Sequence, residues 1–197
     1  MRHELSREGR AFRLRPIGLH DAPFVLSLRT DERAAGRLHP VPGRLADQIA
    51  WLSAYFERSN DWCWVVERRR DGAAEGMLGL YDVDRGAGRG EWGRWILRAG
   101  SLAAAESVLL LYEVAFEELG LDEVRCRTVA GNAAVLSFHD RAGLERIGLE
   151  HDAFEFDGAY VDAVEHKLDR RRWPAVRALL SRAAEQAADL EARRAAS

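Results

Sequence analysis

The sequence predicts a single α/β domain, a mixed and largely antiparallel sheet flanked by helices, with one further helix at the C-terminus. Three observations carry that prediction. Strand-like alternation and helical stripes follow one another in the order β-α-α-β-β-β-α-β-α-β-β-α. Two short connections, Gly86-Ala87-Gly88 and Asp157-Gly158, put antiparallel hairpins into that order. Finally, 197 residues with 47% hydrophobic and 31% charged side chains suit one globular unit and argue against a disordered chain.

Residues 1–10 are polar and read as a flexible, peripheral N-terminus. Residues 11–17 alternate as a short strand, with Phe12, Leu14 and Pro16 on one side. Asp21 as N-cap and Pro23 just inside mark a helix over 22–28. Gly36, Pro40, Pro42 and Gly43 make 31–43 a loop. Apolar residues at 45, 49, 52 and 56 predict a helix over 45–56. Three β-like segments follow at 61–67, 76–83 and 89–97. The Ala/Leu/Glu-rich segment 102–119 ends at Gly120, a helix-stop signal. A strand over 124–129, a helix over 133–142 closed by Gly143 and two strands within 144–168 complete the domain. The last segment, 174–194, shows a stripe of Leu179, Leu180, Ala183, Ala187 and Leu190. That stripe packs either on the domain's own body or on a second copy as a homodimer. The organisation expected is therefore 1–10, a domain over 11–168, and a helical extension over 169–197.

Net charge is −3 with a pI near 6.1, so no bulk positive field recruits nucleic acid or an anionic membrane surface. Lys167 is the only lysine, which leaves 28 arginines; codon usage in a GC-rich genome accounts for that bias without a functional reading. Cys63 and Cys126 lie far apart in apolar surroundings and read as inert thiols of a reducing compartment. The first residues have no apolar core of a signal peptide, and no apolar stretch reaches the ~18 residues that span a bilayer. A cytoplasmic location is the expectation, and no cluster with metal-ligand spacing is visible.

The chemistry concentrates in residues 89–144. Its text runs Gly90-Glu91-Trp92-Gly93-Arg94-Trp95-Ile96-Leu97, then Arg98-Ala99-Gly100-Ser101-Leu102-Ala103-Ala104. Ala115-Phe116-Glu117-Glu118-Leu119-Gly120-Leu121 follows, then Asn132-Ala133-Ala134-Val135 through Phe138-His139 to Gly143-Leu144. This stretch resembles the GNAT superfamily of acyl-CoA-dependent N-acetyltransferases, whose signature N-x-x-A-x-x-x-Y-x-x-x-G-F is similar to the last piece. In layout it is closest to the branches that acetylate nucleotide-linked amino sugars and the N-termini of ribosomal proteins. The resemblance covers about residues 11–168 in element order.

The resemblance implies acetyl-CoA as co-substrate and a small-molecule amine as acceptor, with no metal. A helix N-terminus, with its unpaired N–H groups and positive dipole end, suits a pyrophosphate. The residues implied there are Arg98, Ala99, Gly100, Ser101, Leu102, Ala103 and Ala104, with Arg98 supplying charge and Ser101 a helix cap. Leu102 stands where the family usually has glycine. Glu91 is a lone carboxylate in an apolar, aromatic strand, where the family places its general base, and it can take the proton an ammonium must lose. Its bland alternative is a surface ion pair with Arg89 or Arg94. The amides of Ile96 and Leu97 would hold the thioester carbonyl if the neighbouring strand splays away.

Asn132, Val135 and His139 share a helix face that lines the pantetheine arm in the family, His139 standing where tyrosine protonates the leaving thiolate. A purely local hydrogen-bonding role for His139 is equally open. Arg29, Arg33 and Arg37 flank the early loop; they either pair with the phosphates of a nucleotide-linked acceptor or are simply solvated. The six tryptophans read mostly as core, with Trp51, Trp62 and Trp95 also able to wall the acceptor pocket, whereas Asp162 and His166 read as structural polar residues. A nucleotide-linked amino sugar is the preferred acceptor. Alternatives are N-terminal acetylation of ribosomal or other proteins, and a non-catalytic acyl-CoA-binding module.

Overall fold

Alternation decides the centre of the molecule. Trp64 and Val66 face one side of the sheet, Cys63 and Val65 the other, and all four are fully buried. A strand covered on both faces by helices reads as an uninterrupted apolar run, which is why Trp62–Arg68 carries one.

The computed structural model describes residues 2–31, 43–156 and 158–196. Their elements are β1 (Arg7–Glu8), β2 (Phe12–Pro16), α1 (Ala22–Arg29), α2 (Leu45–Phe56), β3 (Trp62–Arg68), β4 (Ala74–Asp84), β5 (Arg89–Leu97) and α3 (Ala104–Glu113). After α3, which runs into a π-helical turn over Val114–Glu118, come β6 (Glu123–Val129), α4 (Ala133–Ala142), β7 (Glu145–Phe156), β8 (Ala159–Asp169) and α5 (Trp173–Ala196). The strands form one eight-stranded sheet in the order β1-β2-β3-β4-β5-β6-β8-β7. Every pairing is antiparallel except β5 with β6. The α/β class, the mixed sheet and the C-terminal helix are those the sequence predicts.

Helices α1 and α2 cover one face, over a core that includes Val25, Leu28, Leu52, Tyr55 and Met77. Helices α3 and α5 cover the other, over Phe12, Trp64, Leu78, Trp92, Tyr112 and Phe116. Truncating a fully buried aromatic such as Trp92 to alanine costs ~3–5 kcal/mol. Among the described residues no helix is long and apolar enough to cross a membrane.

Four expectations need correction. The N-terminal segment is docked: Leu5 O accepts the Trp64 indole N–H at 2.7 Å, the His3 ring packs on Trp64, and β1 pairs with β2. A buried indole needs an acceptor, and the chain before residue 11 supplies it. Asp21 does not cap α1. Its carboxylate accepts the Gly18 N–H and binds Arg15 in two places. On α2 the buried face is Gln48, Leu52 and Tyr55, leaving Leu45 and Ile49 exposed. On α5 the buried stripe is Trp173, Val176, Leu180 and Ala184, while Leu179 and Leu190 face outward. That stripe packs within the chain on α3, Trp173 against Phe116 at one end and Arg177 on Glu113 further along.

Candidate active site

The parallel pairing of β5 with β6 lasts three residues, Arg89–Glu91 against Glu123–Arg125. Beyond Glu91, β5 pairs with β4 alone, and the sheet opens. A register shift opposite Arg94, whose φ is +52°, adds a bulge that turns the strand further. A cleft of about 450 Å³ occupies this opening, walled by β5, β6 and α4 with contributions from α1, α2 and β7.

Glu91 sits at the point of divergence. Its Oε1 accepts the Tyr81 hydroxyl and the Arg127 Nε–H, each at 3.1 Å. The pairing expected with Arg89 or Arg94 is not formed; Arg127 from the next strand takes that place. Gly93 makes the Tyr81 contact feasible, since a Cβ there would lie 2.5 Å from the Tyr81 hydroxyl. Burial and the Glu91 charge push the Tyr81 phenol well above its usual range, so it stays a donor.

Arginines dominate the walls. Arg29, Arg58, Arg94 and Arg127 line the cleft, against Glu91 as its one lining carboxylate among the described residues. Arg94 is bidentate to buried Asp61, which Arg58 also approaches at 3.5 Å, and its guanidinium lies 4.4 Å from the Tyr81 ring centre. Burial and the neighbouring Arg94 cation both lower the pKa of Arg29. Trp51, Trp92, Trp95, Phe154 and Phe156 supply apolar wall.

His139 is buried in a box of rings, with Trp92, Phe138 and His166 at 5.2–5.7 Å between centres. Desolvation first, and the His166 charge second, bring its pKa down to about 3. An imidazole held neutral at physiological pH has no spare proton for a thiolate, so proton donation from an imidazolium is not available here. His139 also lines the cleft.

The segment between β5 and α3 leads into a helix N-terminus. Ala103 occupies the N-cap and offers no side chain, so the first-turn amides of α3 have no side-chain cap. Gly100, at φ +73°, has open space around it. Leu102 packs half-buried against the core, away from a glycine-like role but without filling the turn. Ser101 Oγ accepts the Ala103 N–H at 3.3 Å, one step ahead of the capping position expected. Arg98, Ala99 and Gly100 are exposed, and Ala103 and Ala104 are small. Arg98 N–H bonds Glu75 O at 2.8 Å, so alternation along β5 turns the Ile96 amide toward β4 and the Leu97 amide into the opening. Of the two expected carbonyl donors, only the Leu97 amide points away from β4, and neither residue is among those that line the cleft.

Asn132 and Val135 line the cleft, and Asn132 also caps α4 through the Val135 N–H. Arg29, Trp51 and Trp95 are brought to it as well. Trp62 is core, not wall. Arg33 and Arg37 lie outside the described residues. Asp162 binds His151 and the Asp152 N–H, and His166 binds Asp140, both away from the cleft. Sequence reasoning missed Tyr81, Arg58, Arg94 and Arg127. Alternation on β6, where Arg125 and Arg127 flank buried Cys126, was the one signal pointing to a charged face. Cys63 and Cys126 are buried free thiols, and burial raises both pKa values, that of Cys63 to about 12. Among the described residues no group of three or more His, Cys, Asp or Glu is arranged to hold a metal ion.

An α/β sheet thus splits beside a helix N-terminus without a side-chain cap, with a carboxylate at the apex of the opening. Residues 12–145 match the acetyltransferase (GNAT) domain family, and the chain belongs to it. Over 107 residues it is 32% identical to the "Putative ribosomal N-acetyltransferase YdaF" of Bacillus subtilis (strain 168), 52% of this chain and 57% of that one. The match thus spans little more than half the length of that relative. Among solved structures, the apo form of FdhC, a nucleotide-linked sugar GNAT, superposes with a TM-score of 0.73 at 24% identity, covering 88% of this chain and 94% of that one. A spermidine N-acetyltransferase chimera from Vibrio cholerae and hSSAT gives 0.74 at 15% identity, covering 83% and 98%. These last two likenesses speak for the fold alone.

Proposed function

We propose that the chain acetylates the primary amine of a nucleotide-linked amino sugar, using acetyl-CoA bound across residues 98–104. The observation that carries the acceptor class is the charge of the cleft: four arginines against Glu91, or against Glu91 and Asp61 when the buried partner behind the wall is counted. Such a wall repels a polyamine and attracts a diphosphate, and aromatic faces such as Trp51 and Phe154 suit a base.

In this reading the Leu97 amide donates to the thioester carbonyl oxygen, where negative charge develops during attack. Glu91 takes the ammonium proton, directly or through one water, while Tyr81 and Arg127 fix its Oε1. The amine nitrogen forms the new C–N bond, the C–S bond breaks, and CoA leaves as a thiolate. With a thiol pKa of ~8.5 that anion is a competent leaving group, so neutral His139 withholds nothing essential. Asn132 and Val135 border the pantetheine path. The reading also puts the chain in the cytoplasm, a reducing compartment that its two unbridged cysteines suit.

The stretch shared with YdaF favours a second reading, acetylation of a protein N-terminus. Purified protein with acetyl-CoA is challenged with UDP- and dTDP-amino sugars, with peptides bearing free N-termini, and with spermidine, and thiol release is followed. Turnover of the sugar nucleotides is expected. Turnover of peptide alone reverses the order of the two readings. Acetyl-CoA binding in calorimetry without CoA release across the whole panel indicates a non-catalytic binding module.

A further inference from the structure

Helix α5 runs antiparallel to α3, from Trp173 beside Phe116 to Arg194 beside Gly100. Its far end is fastened in two steps. Glu191 is buried and receives Arg68 at 3.1 Å and Arg70 at 3.4 Å from the β3–β4 turn, while Arg70 also donates to the Glu191 carbonyl at 3.3 Å. One turn on, the Arg194 guanidinium donates to the Gly100 carbonyl at 2.9 Å. Gly100 lies in the segment whose neighbour Leu102 replaces the glycine that lets a backbone close on phosphate.

We propose that the last turn of α5 completes the CoA phosphate site, with Arg194 as its positioning residue. This rests on the acetyl-CoA reading above. Arg194 does two things at Gly100. It occupies a carbonyl oxygen that would otherwise repel phosphate and holds the +73° backbone of Gly100 in place. It also brings a fixed positive charge to the mouth of an uncapped helix N-terminus. Glu191 serves as the anchor that carries the helix end to the loop. The charge and stiffness that extra glycines would otherwise make unnecessary are thereby drawn from a part of the chain 94 residues away.

The test uses the full chain as wild type, Arg194→Gln and Arg194→Lys. Calorimetry measures acetyl-CoA at low and high salt, and acetyl-pantetheine, which carries the thioester and arm without the nucleotide phosphates. Arg194→Gln is expected to weaken acetyl-CoA roughly fivefold to twentyfold at low salt, with the gap narrowing at high salt. Arg194→Lys should fall between the two, and acetyl-pantetheine affinity should be unchanged in all three. Equal acetyl-CoA affinity in wild type and Arg194→Gln overturns this inference alone. An equal loss for acetyl-pantetheine overturns it too, because that is the mark of a distorted loop. A wild type that binds no acetyl-CoA overturns this inference together with the acetyltransferase reading.

Discussion

On the side of the cleft proposed for the acceptor, the walls are long side chains from three elements, each held by a partner or a ring: Arg94 on Asp61, Arg127 on Glu91, Trp51 stacked on Tyr55. The side proposed for the phosphates is built instead from backbone, small residues and one distant guanidinium. The difference teaches where each half can vary. Side chains on the acceptor side can change one at a time and redirect recognition, whereas the phosphate side depends on chain direction and on what α5 brings to it.

The comparison breaks first at Glu91. Glu91→Gln keeps the shape and hydrogen-bonding capacity but removes the base. Turnover should fall by ~10²–10⁴ with acetyl-CoA affinity unaltered. Loss of cofactor binding in that variant would mean the two halves are not separable. Arg127→Met comes next: acceptor KM should rise by roughly 10- to 100-fold for an anionic acceptor, from a lost charge-assisted contact, and acetyl-CoA binding should hold. A smaller effect is expected of Gly93→Ala. The new Cβ displaces the Tyr81 hydroxyl from Glu91 and should lower kcat a few-fold, with the melting temperature changed little.

The last expected effect is one of stability. His139 has its pKa lowered to about 3 in the folded state, against ~6.5 unfolded. Between those values the unfolded chain binds a proton that the folded one refuses. Stability should therefore fall as pH drops from about 6.5 toward 3 and be flat, for this group, above 6.5. Urea unfolding at pH 7, 5.5 and 4.5 should show a shallower fall for His139→Leu than for wild type.

Local signals explain what the sequence made legible. Asn132 and Gly143 bound α4 where expected, because a side-chain cap and a +87° glycine act within one turn. β5 and α2 are likewise bounded as read. Facing is harder than extent. Leu45, Ile49, Leu179 and Leu190 fit helical stripes but were not the buried ones, since tertiary packing chose Tyr55 on α2 and Trp173 and Val176 on α5. Glu91 was legible as a lone carboxylate. Its partners were not, because Tyr81 and Arg127 come from the strands on either side and meet only through the register of β4, β5 and β6. That the Leu97 amide, and not that of Ile96, points away from β4 follows from a single hydrogen bond, Arg98 to Glu75, that no pattern announces.

The central claim is that the β5–β6 opening receives a thioester beside Glu91, and a crystal structure of the complex with acetyl-CoA tests it most directly. The account predicts the thioester carbonyl within hydrogen-bonding distance of the Leu97 amide, the phosphates over residues 98–104, and the acetyl group facing Glu91. An acetyl-CoA molecule bound elsewhere, with the opening closed by the chain's own side chains, would contradict it.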